Sequence, residues 1–569
     1  MLMVTLVHYQ YRGSSFSMFP TYTSNASVRP HVSHDASIMF KYIIFVLLLT
    51  VCKCERPNII FIIADDLGWN DVGFHGMNQI PTPNIDALAA SGLMLHNYYV
   101  TPLCTPSRAA LVTGKYPIHT GMQHSVLYAA EPRGLPLSEK LLPQYLKELN
   151  YKTHLVGKWH LGSYKKEYLP MNRGFDSHVG FWAGKIDMFD HTNAERGYWG
   201  FDFRRGMSVA HDLFGQYATD VYTNEAIKII NGHNKTDPLF LMIAHSAVHT
   251  GNPNEPIRAH DDVIAKFTHI QDYQRRKFAG VLTHLDDSVG KVVAALQSRG
   301  LLENSIIVFT TDNGGPAEGF NDNRASNFPL RGVKNTLWEG GVRGAGLLWS
   351  PLIEKKSRVA EQRFHIVDWL PTLLSAAGMN ISATRNLDGI DQWDALSKDL
   401  KSKRTSIVHN IDAEYGSAAI TVGKWKLLKG TNYNGDWDSW YGPGGREGAY
   451  NVSLVTSSPA AQALSKLNLM PRRELILELR SNVTINCSRV SKVSCQPLKA
   501  PCLFDIEADP CETTNLADSE PEVLLNMLQE LQEVNKTAVP PNNEPLDTRG
   551  DPKYWGHVIT NFGDFIIES

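Results

Sequence analysis

The residues with the clearest chemical potential are Cys104 and Arg108, in the run Cys104-Thr105-Pro106-Ser107-Arg108. A helix-like stretch at 107–114 follows at once, so the thiol is predicted at a helix N-terminus with a guanidinium one turn on. Unpaired backbone N–H groups and the helix dipole favour negative charge there, and Arg108 adds a fixed cation with a planar donor fork. This pattern indicates chemistry on an anion.

Further ionisable or metal-binding side chains follow apolar runs of strand length. These runs are 58–64, 151–156, 238–244 and 305–311, and helical patterns at 84–92, 107–114, 138–149, 217–231 and 271–299 lie between them. Strands that alternate with helices indicate parallel βαβ construction. Because ligands bind at the carboxyl ends of parallel strands, we expect the side chains beyond these runs to converge in one pocket. They are Asp65, Asp66, Lys158, His160, His249, Asp312 and Asn313.

The acidic part of this set predicts a metal site. Asp65, Asp66, Asp312 and Asn313 offer only oxygen ligands, which suit a hard divalent cation such as calcium or magnesium better than zinc. Calcium is preferred, since protein oxygens could nearly fill its flexible coordination shell. Taken alone, Asp65-Asp66 is equally compatible with a helix cap or a solvated turn. The equivalent position of Asp312-Asn313 at a second strand end favours the metal.

The basic part of the set predicts an oxyanion site. Its members could hold a tetrahedral anion and protonate a leaving group. They are Arg108, Lys158, His160, His249 and Lys334.

Composition excludes one class of partner. The chain has 569 residues, a net charge of -3 and 20% charged residues, without a basic stripe, so nucleic acid is not expected as a partner. Its length exceeds that of a usual single domain and favours two domains.

The N-terminal segment predicts a secretory signal. Lys41 precedes an apolar run, 42–51, that is too short to cross a bilayer and suits a signal-peptide core at 40–51. We therefore assign 1–54 to an extension plus signal peptide, with Met39 as a better start than Met1. A type II membrane anchor is the alternative. No later run is long enough to span a bilayer, so no stable membrane span is expected.

A secretory route changes the interpretation of the seven cysteines. Cys52 and Cys54 lie near the predicted cleavage site, and four others form a C-terminal cluster: Cys487, Cys495, Cys502 and Cys511. In an oxidising compartment this cluster predicts two local disulfides, with pairing between neighbours preferred, and Cys104 stays unpaired. A zinc site is less favoured because a Cys-x-x-Cys pair is missing. Six glycosylation sequons fit the same compartment, at Asn234, Asn380, Asn451, Asn482, Asn486 and Asn535.

Several motifs resemble one enzyme family. Residues 104–108 match the Cys-x-Pro-Ser-Arg signature of the type I sulfatases, and Gly157-Lys158-Trp159-His160-Leu161-Gly162 matches their second signature. The segments 330–334 and 337–343 resemble the arylsulfatase B branch in particular, N-acetylgalactosamine-4-sulfatase and its relatives. The resemblance covers about residues 55 to 540.

This resemblance implies a fold and a domain plan. The fold is α/β and alkaline-phosphatase-like, with a large mixed, mostly parallel sheet flanked by helices. A catalytic domain is expected at 55–400, and a smaller C-terminal domain with an antiparallel sheet at 401–569. Two short strands around a glycine at 418–428 and a helix near 519–535 agree with the smaller domain.

The resemblance also implies the chemistry. A formylglycine-generating enzyme would oxidise Cys104 to formylglycine, and one hydroxyl of the hydrated aldehyde would attack the sulfur of a sulfate ester. Residue 104 would then contact calcium together with Asp65, Asp66, Asp312 and Asn313. The product would leave as an alcohol, and the enzyme would reside in the lysosome or outside the cell.

Roles for the basic residues follow by position in the family pattern. Arg108 would hold the nucleophile, Lys158 and Lys334 would neutralise sulfate oxygens, and His160 would take a proton from the second hydroxyl. His249, with Lys334, would protonate the leaving oxygen. The sequence departs from the family at His249, since relatives usually carry a proline two residues after this histidine and here Thr250-Gly251-Asn252-Pro253 follows. His245 is the alternative to His249.

Other functions stay open at this point. A phosphatase or phosphodiesterase of the same superfold would want a Ser or Thr nucleophile and a His-rich two-zinc site. An inactive carbohydrate-binding relative would lack the nucleophile or a metal ligand. The substrate is also open among a glycosaminoglycan 4-sulfate, another sulfated glycan and a small sulfate ester such as a glucosinolate, because specificity lies in loops.

Overall fold

A computed structural model describes residues 56–317, 319–384, 386–487 and 493–566. The predicted signal core at 40–51 lies outside these residues, as do Cys52 and Cys54. Within the described ranges, no helix has the length and apolar character needed to cross a membrane.

The apolar runs form the centre of a ten-stranded sheet. Its strands, in order across the sheet, are β13 (Arg358–Ala360), β2 (Leu93–Leu95), β12 (Gly346–Trp349), β11 (Ser305–Thr311), β1 (Asn58–Ala64), β10 (Leu239–Ala244), β4 (Lys152–Lys158), β5 (Ser177–Phe181), β8 (Arg204–Arg205) and β9 (Ser208–Val209). The five neighbours β11, β1, β10, β4 and β5 are parallel, and antiparallel pairs flank them. The predicted mixed, mostly parallel sheet is confirmed.

Helices cover both faces of this sheet. They are α1 (Pro83–Ser91), α2 (Cys104–Thr113), α3 (Leu142–Glu148), α4 (Ala218–Gly232), α5 (Asp261–Ile264), α6 (Tyr273–Arg299), α7 (Glu339–Val342), α8 (Trp369–Ala376), α9 (Trp393–Lys398), α10 (Val452–Ser457), α11 (Pro459–Lys466), α12 (Arg473–Val483) and α13 (Pro521–Asn535). Successive strand residues point to opposite faces, so Ile60 and Ile62 of β1 pack in one core cluster and Phe61 in the other. Burial on both faces explains why the central strands are continuous apolar runs rather than alternating ones.

The predicted C-terminal hairpin belongs to a second sheet. This sheet is antiparallel, in the order β15 (Ser406–Asp412), β16 (Ser417–Val422), β17 (Trp425–Lys429) and β18 (Cys502–Asp505). Gly423, with φ +55°, makes the turn between β16 and β17. All described residues belong to one compact unit, and the predicted domain boundary near residue 400 falls in the connection between α9 and β15.

Two short two-stranded sheets complete the strand inventory of the described residues. One pairs β3 (Tyr98–Tyr99) with β14 (Phe364–His365), and the other is the hairpin of β6 (Thr192–Glu195) and β7 (Tyr198–Phe201). The β6–β7 hairpin contacts the C-terminal segment, residues 552–559. The backbone N–H of Phe201 donates to the carbonyl of His557, and the backbone N–H of Ile559 donates to the carbonyl of Phe201.

The clustered cysteines form two disulfides, as predicted, but the preferred pairing is wrong. Cys487 bonds to Cys511 and Cys495 bonds to Cys502, so one bridge is nested inside the other. Cys502 opens β18, and the turn at 496–500 brings the chain back so that Cys495 lies 5.8 Å from it, Cα to Cα. The chain then doubles back after β18 and brings Cys511 to Cys487, 6.3 Å away. The spacing of the cysteines in the sequence does not predict where the chain reverses direction.

Candidate active site

Two acidic pairs lie side by side at one edge of the large sheet. Asp65 and Asp66 follow β1, and Asp312 and Asn313 follow β11, whose last residue pairs in register with Ala64. The backbone N–H of Asp66 donates to Asp312 Oδ1 at 3.2 Å, and Asn313 Nδ2 donates to Asp66 Oδ1 at 2.7 Å. All four side chains are buried. The shared register of parallel strands thus brings together residues almost 250 positions apart.

Asp66 reaches this geometry through an unusual backbone. Its φ is +65°, in the left-handed region that residues with side chains rarely adopt. The loop is fixed by the segment that follows the neighbouring strand β10, because the backbone N–H of Asp65 donates to the carbonyl of Ala247 and that of Val248 donates to the carbonyl of Asp65. The turn points both aspartates toward the same space.

Cys104 is the first residue of α2, which begins three residues earlier than the predicted stretch. Its side chain is buried, and it is the one cysteine of the described chain outside a disulfide. The ligand atoms of Asp65, Cys104 and Asp312 all lie within 4.8 Å of one another. Burial raises the pKa of the Cys104 thiol, although Lys158 and Lys334 oppose that rise. An unmodified thiol here is therefore protonated near neutral pH and is a weak nucleophile.

Three cations balance the three carboxylates. Arg108 Nη2 and Nε donate to Asp312 Oδ2 at 2.8 and 3.0 Å. Lys158 Nζ lies 2.6 Å from Asp65 Oδ2, and Lys334 Nζ lies 2.7 Å from Asp66 Oδ1. Lys158 ends β4, whereas Lys334 arrives on a loop whose backbone N–H groups bond to the carbonyls of Gly315 and Pro102.

The charges shift the ionisation of the carboxylates in opposite directions. Burial raises the pKa of Asp66, but the charge of Lys334, the electrostatic contribution of His249 and hydrogen bonds from Lys334 and Asn313 together lower it to about 2. Burial and the neighbouring Asp65 raise the pKa of Asp312 to about 6, against the opposing charge of Arg108. A concentration of acids this dense, deep in the protein, is typical of functional sites.

The two predicted catalytic histidines face the same space. His249 Nε2 lies 3.4 Å from Asp66 Oδ2, and its Nδ1 is 2.6 Å from the carbonyl of Thr250. His160 Nε2 lies 2.9 Å from the carbonyl of Leu127 and 3.1 Å from Thr105 Oγ1. With Nε2 as the donor to Leu127, Nδ1 of His160 is left as the basic nitrogen.

His245, the alternative to His249, lies elsewhere. Its Nε2 is 3.3 Å from Ser288 Oγ on α6, its ring packs near Tyr222, and it does not line the pocket described below. The geometry therefore favours His249 in spite of the missing proline. Gly251 stands at the position of that proline, and the neighbouring Thr250 Oγ1 donates to the carbonyl of Asn321 and holds the loop.

Two buried oxygens of the acidic group have no hydrogen-bond donor among the described residues. They are Asp65 Oδ1 and Asn313 Oδ1. Buried acceptor atoms almost always receive a hydrogen bond, so two that do not, within one acidic group, are suited to bind a cation. The donor set of carboxylate and amide oxygens fits a hard divalent cation, as the sequence predicts. The structure brings all five predicted metal-site residues to one place.

A pocket of about 530 Å³ opens in front of this group. Cys104, His160, His249 and Lys334 line its inner end. Its outer wall consists of residues that the sequence did not single out, among them Tyr128, Lys185, Glu195, Arg196, Asp322, Asn335, Tyr415 and Tyr433. They come from loops and from the β6–β7 hairpin. The turn residues Arg196-Gly197 were the only sequence signal for that hairpin.

Comparisons with known proteins agree with this site. The Sulfatase family model matches residues 57–379. Arylsulfatase J of Mus musculus is 39% identical over 525 residues, which cover 89% of this chain and 80% of the mouse protein. N-acetylgalactosamine-6-sulfatase of Homo sapiens is 32% identical over 432 residues, covering 71% of this chain and 77% of the human protein.

A solved structure shows the same architecture. The crystal structure of Ps i-CgsB in complex with k-i-k-neocarrahexaose superposes with a TM-score of 0.67 and 28% sequence identity, covering 87% of this chain and 95% of that one. The family match, the relatives and the shared fold support the same assignment. The chain belongs to the sulfatase family and is a sulfuric ester hydrolase.

Proposed function

We propose that this chain hydrolyses the sulfate ester of a sulfated glycan or of a small aryl alcohol, with formylglycine made from Cys104 and with a bound calcium ion. The observation that carries the proposal is the position of Cys104 at the start of α2, within 4.8 Å of the carboxylates of Asp65 and Asp312. A formylglycine-generating enzyme of the secretory pathway is the partner that would convert the thiol.

The calcium site would be built from Asp65, Asp66, Asp312, Asn313 and residue 104. The free oxygens Asp65 Oδ1 and Asn313 Oδ1 support this assignment. When bound, the ion would offset the charge of the sulfate oxygens, while hydrated formylglycine would supply a hydroxyl nucleophile.

Three cations of the chain would bind and orient the sulfate. Lys334 lines the pocket, and Lys158 is buried against Asp65 behind it. Both would neutralise sulfate oxygens as charge develops during the reaction. Arg108 is held rigidly by two hydrogen bonds to Asp312 and would orient the side chain of residue 104. Because these groups are buried and fixed before substrate arrives, little reorganisation is needed.

The two histidines would move protons. His249 lines the pocket beside Lys334, and the two together would protonate or stabilise the leaving oxygen. His160 also lines the pocket, and its free Nδ1 would accept the proton that the hydroxyl of residue 104 releases. Both assignments rest on position in the pocket.

Three finer assignments complete the proposal. The arylsulfatase B-like branch is supported by the segments 330–334 and 337–343. A lysosomal or extracellular destination is supported by the apolar run at 42–51, and by the six sequon asparagines, which are all exposed. A catalytic domain at 55–400 and a smaller one at 401–569 are supported by the separate antiparallel sheet.

The test is hydrolysis of a panel of sulfate esters by the purified secreted protein, with and without chelator. We expect turnover of 4-nitrophenyl sulfate and of at least one sulfated sugar, loss of turnover in chelator, and recovery with calcium in preference to magnesium. Full activity in excess chelator would contradict the metal assignment. Cleavage of phosphate esters in place of sulfate esters would contradict the function.

A further inference from the structure

Lys185 is a cation of the pocket wall. It lines the same pocket as Cys104 and is half-buried. In the described part of the chain, its ammonium makes no hydrogen bond and no close ion pair. Its position is nevertheless fixed, because Asn193 Nδ2 donates to its backbone carbonyl at 2.9 Å.

The surroundings of Lys185 compensate its charge only in part. Burial is the largest influence and lowers the pKa of Lys185; Lys334 lowers it further, while Glu195 and Asp322 oppose this without cancelling it. Lys334 is already committed to Asp66 at the inner end of the pocket. A half-buried ammonium that lacks a contact partner is costly. A ligand that brings a negative group would remove this cost.

A second cation lies at the rim beside it. Arg196 is at the tip of the β6–β7 hairpin, with φ +53°, followed by Gly197 with φ +85°. Its guanidinium stacks 4.8 Å from the ring centroid of Tyr128 and donates to the Tyr128 hydroxyl at 2.7 Å. This stack preorganises an exposed cation at the pocket mouth.

The wall also contains acids. Glu195 and Asp322 line the same pocket, and the charge of each raises the pKa of Lys185. Burial raises the pKa of Glu195, and Lys185 opposes that rise, without a contact between the two groups. The Glu195 Oε2 atom has no hydrogen-bond donor among the described residues, so Lys185 is not engaged in satisfying it.

We propose that Lys185, with Arg196 at the rim, forms a second anion subsite that binds a carboxylate or a second sulfate group of the sulfated sugar whose ester is hydrolysed. The inference rests on the proposed function, since it assumes that a sulfate ester occupies the inner end of the pocket. A pocket of about 530 Å³ has room for a sugar that carries both groups. The substrate class is therefore a sulfated glycan unit with at least two negative charges.

The experiment measures how well sulfated sugars inhibit hydrolysis of 4-nitrophenyl sulfate by the full chain. The probes are N-acetylgalactosamine 4-sulfate with one anion, its 4,6-disulfate with a second sulfate, and a chondroitin 4-sulfate disaccharide with a uronate carboxylate. Wild type is compared with Lys185→Met and with Lys403→Met, an exposed lysine away from the pocket.

We expect Lys185→Met to weaken inhibition by a probe with two anions about 10- to 100-fold, the range of one charge-assisted hydrogen bond. Inhibition by the monosulfate and turnover of the aryl ester should change less than about threefold. Lys403→Met should behave as wild type. A loss confined to the disulfate identifies a sulfate subsite, and a loss confined to the uronate disaccharide identifies a carboxylate subsite.

Two results would overturn the inference. One is equal weakening of all probes by Lys185→Met. The other is full recovery of two-anion inhibition in the double variant Lys185→Met, Glu195→Gln, which would show that Lys185 only neutralises Glu195. A wild type that hydrolyses no sulfate ester would refute the proposed function and this inference with it, whereas an active wild type with unselective loss refutes the inference alone.

Discussion

At the scale of single residues, the site contains backbone conformations that side-chain-bearing residues avoid. Asp66 has φ +65° and His160 has φ +61°. Each follows the end of a parallel strand, where the chain must reverse to aim a side chain across the edge of the sheet. Such conformations cost about 1–3 kcal/mol each and persist where the surrounding structure imposes them. Asp66 belongs to the acidic group and His160 lines the pocket, so both strained residues lie where the predicted chemistry is located.

The position of His160 also depends on the absence of a side chain at Gly184. A Cβ at Gly184 would lie 2.8 Å from His160 Nε2 and 3.1 Å from Glu195 Oε1. We expect Gly184→Ala to displace the imidazole and to lower kcat about tenfold or more, because proton transfer requires hydrogen-bond distance. The measurement is steady-state kinetics on an aryl sulfate.

The control for this variant is Gly232→Ala at the end of α4, where a Cβ would meet nothing within 4 Å. It should keep wild-type kcat. If Gly184→Ala retained full kcat as well, His160 would not need its observed position, and its proposed role in proton transfer would be wrong.

The sequence predicted some residues of the site and missed others. Asp65, Asp312 and Lys158 each follow or end an apolar strand, so the rule for parallel strand ends locates them. Lys185 and Glu195 follow no periodic pattern, and only the folded hairpin and loops bring them to the pocket. The type of side chain at a strand end is readable from sequence, whereas the wall that selects the substrate is not.

At the scale of elements, a buried ion network joins α7 to the small sheet. Lys426 of β17 has its Nζ 2.9 Å from Glu339 Oε1 and 2.8 Å from Glu512 Oε1, with all three side chains fully buried. Glu339 also accepts from the Tyr99 hydroxyl at 3.0 Å and lies close to Arg343. The loop with Lys334 precedes α7 directly, so this network supports the loop that enters the active site.

Lys426→Met should destabilise the protein strongly, since it leaves two buried carboxylates without their shared cation. The expected loss is about 3–5 kcal/mol in the free energy of unfolding. Lys424→Met is the matched control on the same sheet. Lys424 pairs with Asp505 while largely exposed, and such surface pairs contribute at most about 1 kcal/mol. Denaturant unfolding followed by tryptophan fluorescence measures both, and equal effects would contradict the network's importance.

The same network predicts a pH dependence of stability. Burial raises the pKa of Glu512 from 4.5 to about 7; Lys426 opposes this rise and Glu339 adds to it. The folded state thus binds a proton that the unfolded state has released between these values. The contribution of Glu512 to stability is complete below about pH 4.5 and declines as the pH rises through about 7.

We therefore expect the free energy of unfolding to fall by roughly 1–3 kcal/mol between about pH 5 and pH 8 through this group. Glu512→Gln, which keeps the shape and stays uncharged, should flatten this decline. Unfolding curves at both pH values provide the measurement. An unchanged slope in Glu512→Gln would show that Glu512 does not titrate in this range.

The predicted and observed strands show which elements can be recognised from the sequence. The central strands were predicted closely because both faces are apolar, as in β1 and β11. The β6–β7 hairpin was missed, since its strands, Thr192–Glu195 and Tyr198–Phe201, have four residues each and are only partly buried. Short strands of this kind gain their stability from neighbours rather than from their own pattern.

At the scale of the whole molecule, the C-terminal segment braces the pocket wall. The backbone N–H of Phe201 donates to the carbonyl of His557, and that of Ile559 donates to the carbonyl of Phe201. Gly200 packs against Pro552, where a Cβ would lie 2.6 Å from the proline Cβ. The end of the chain thus fixes the hairpin that carries Arg196. No sequence pattern predicts such a contact between segments more than 350 residues apart.

Gly200→Ala should separate the hairpin from the C-terminal segment and shift the outer wall of the pocket. We expect inhibition by two-anion sugars to weaken about three- to tenfold, with aryl sulfate turnover preserved, because Cys104 and the acidic group belong to α2 and to the ends of β1 and β11 rather than to the hairpin. The inhibition assay with the 4,6-disulfate measures this effect. A parallel loss of aryl sulfate turnover would instead indicate that the segment supports the whole site.

The central claim is that residue 104 acts as formylglycine, and mass spectrometry of the peptide that contains it tests this most directly. The protein is secreted from cells that contain the formylglycine-generating enzyme, and its activity is measured on the same sample. The account predicts an aldehyde in place of the thiol, activity in proportion to the converted fraction, and no activity in Cys104→Ala. Full sulfatase activity in protein whose Cys104 thiol is intact would contradict it.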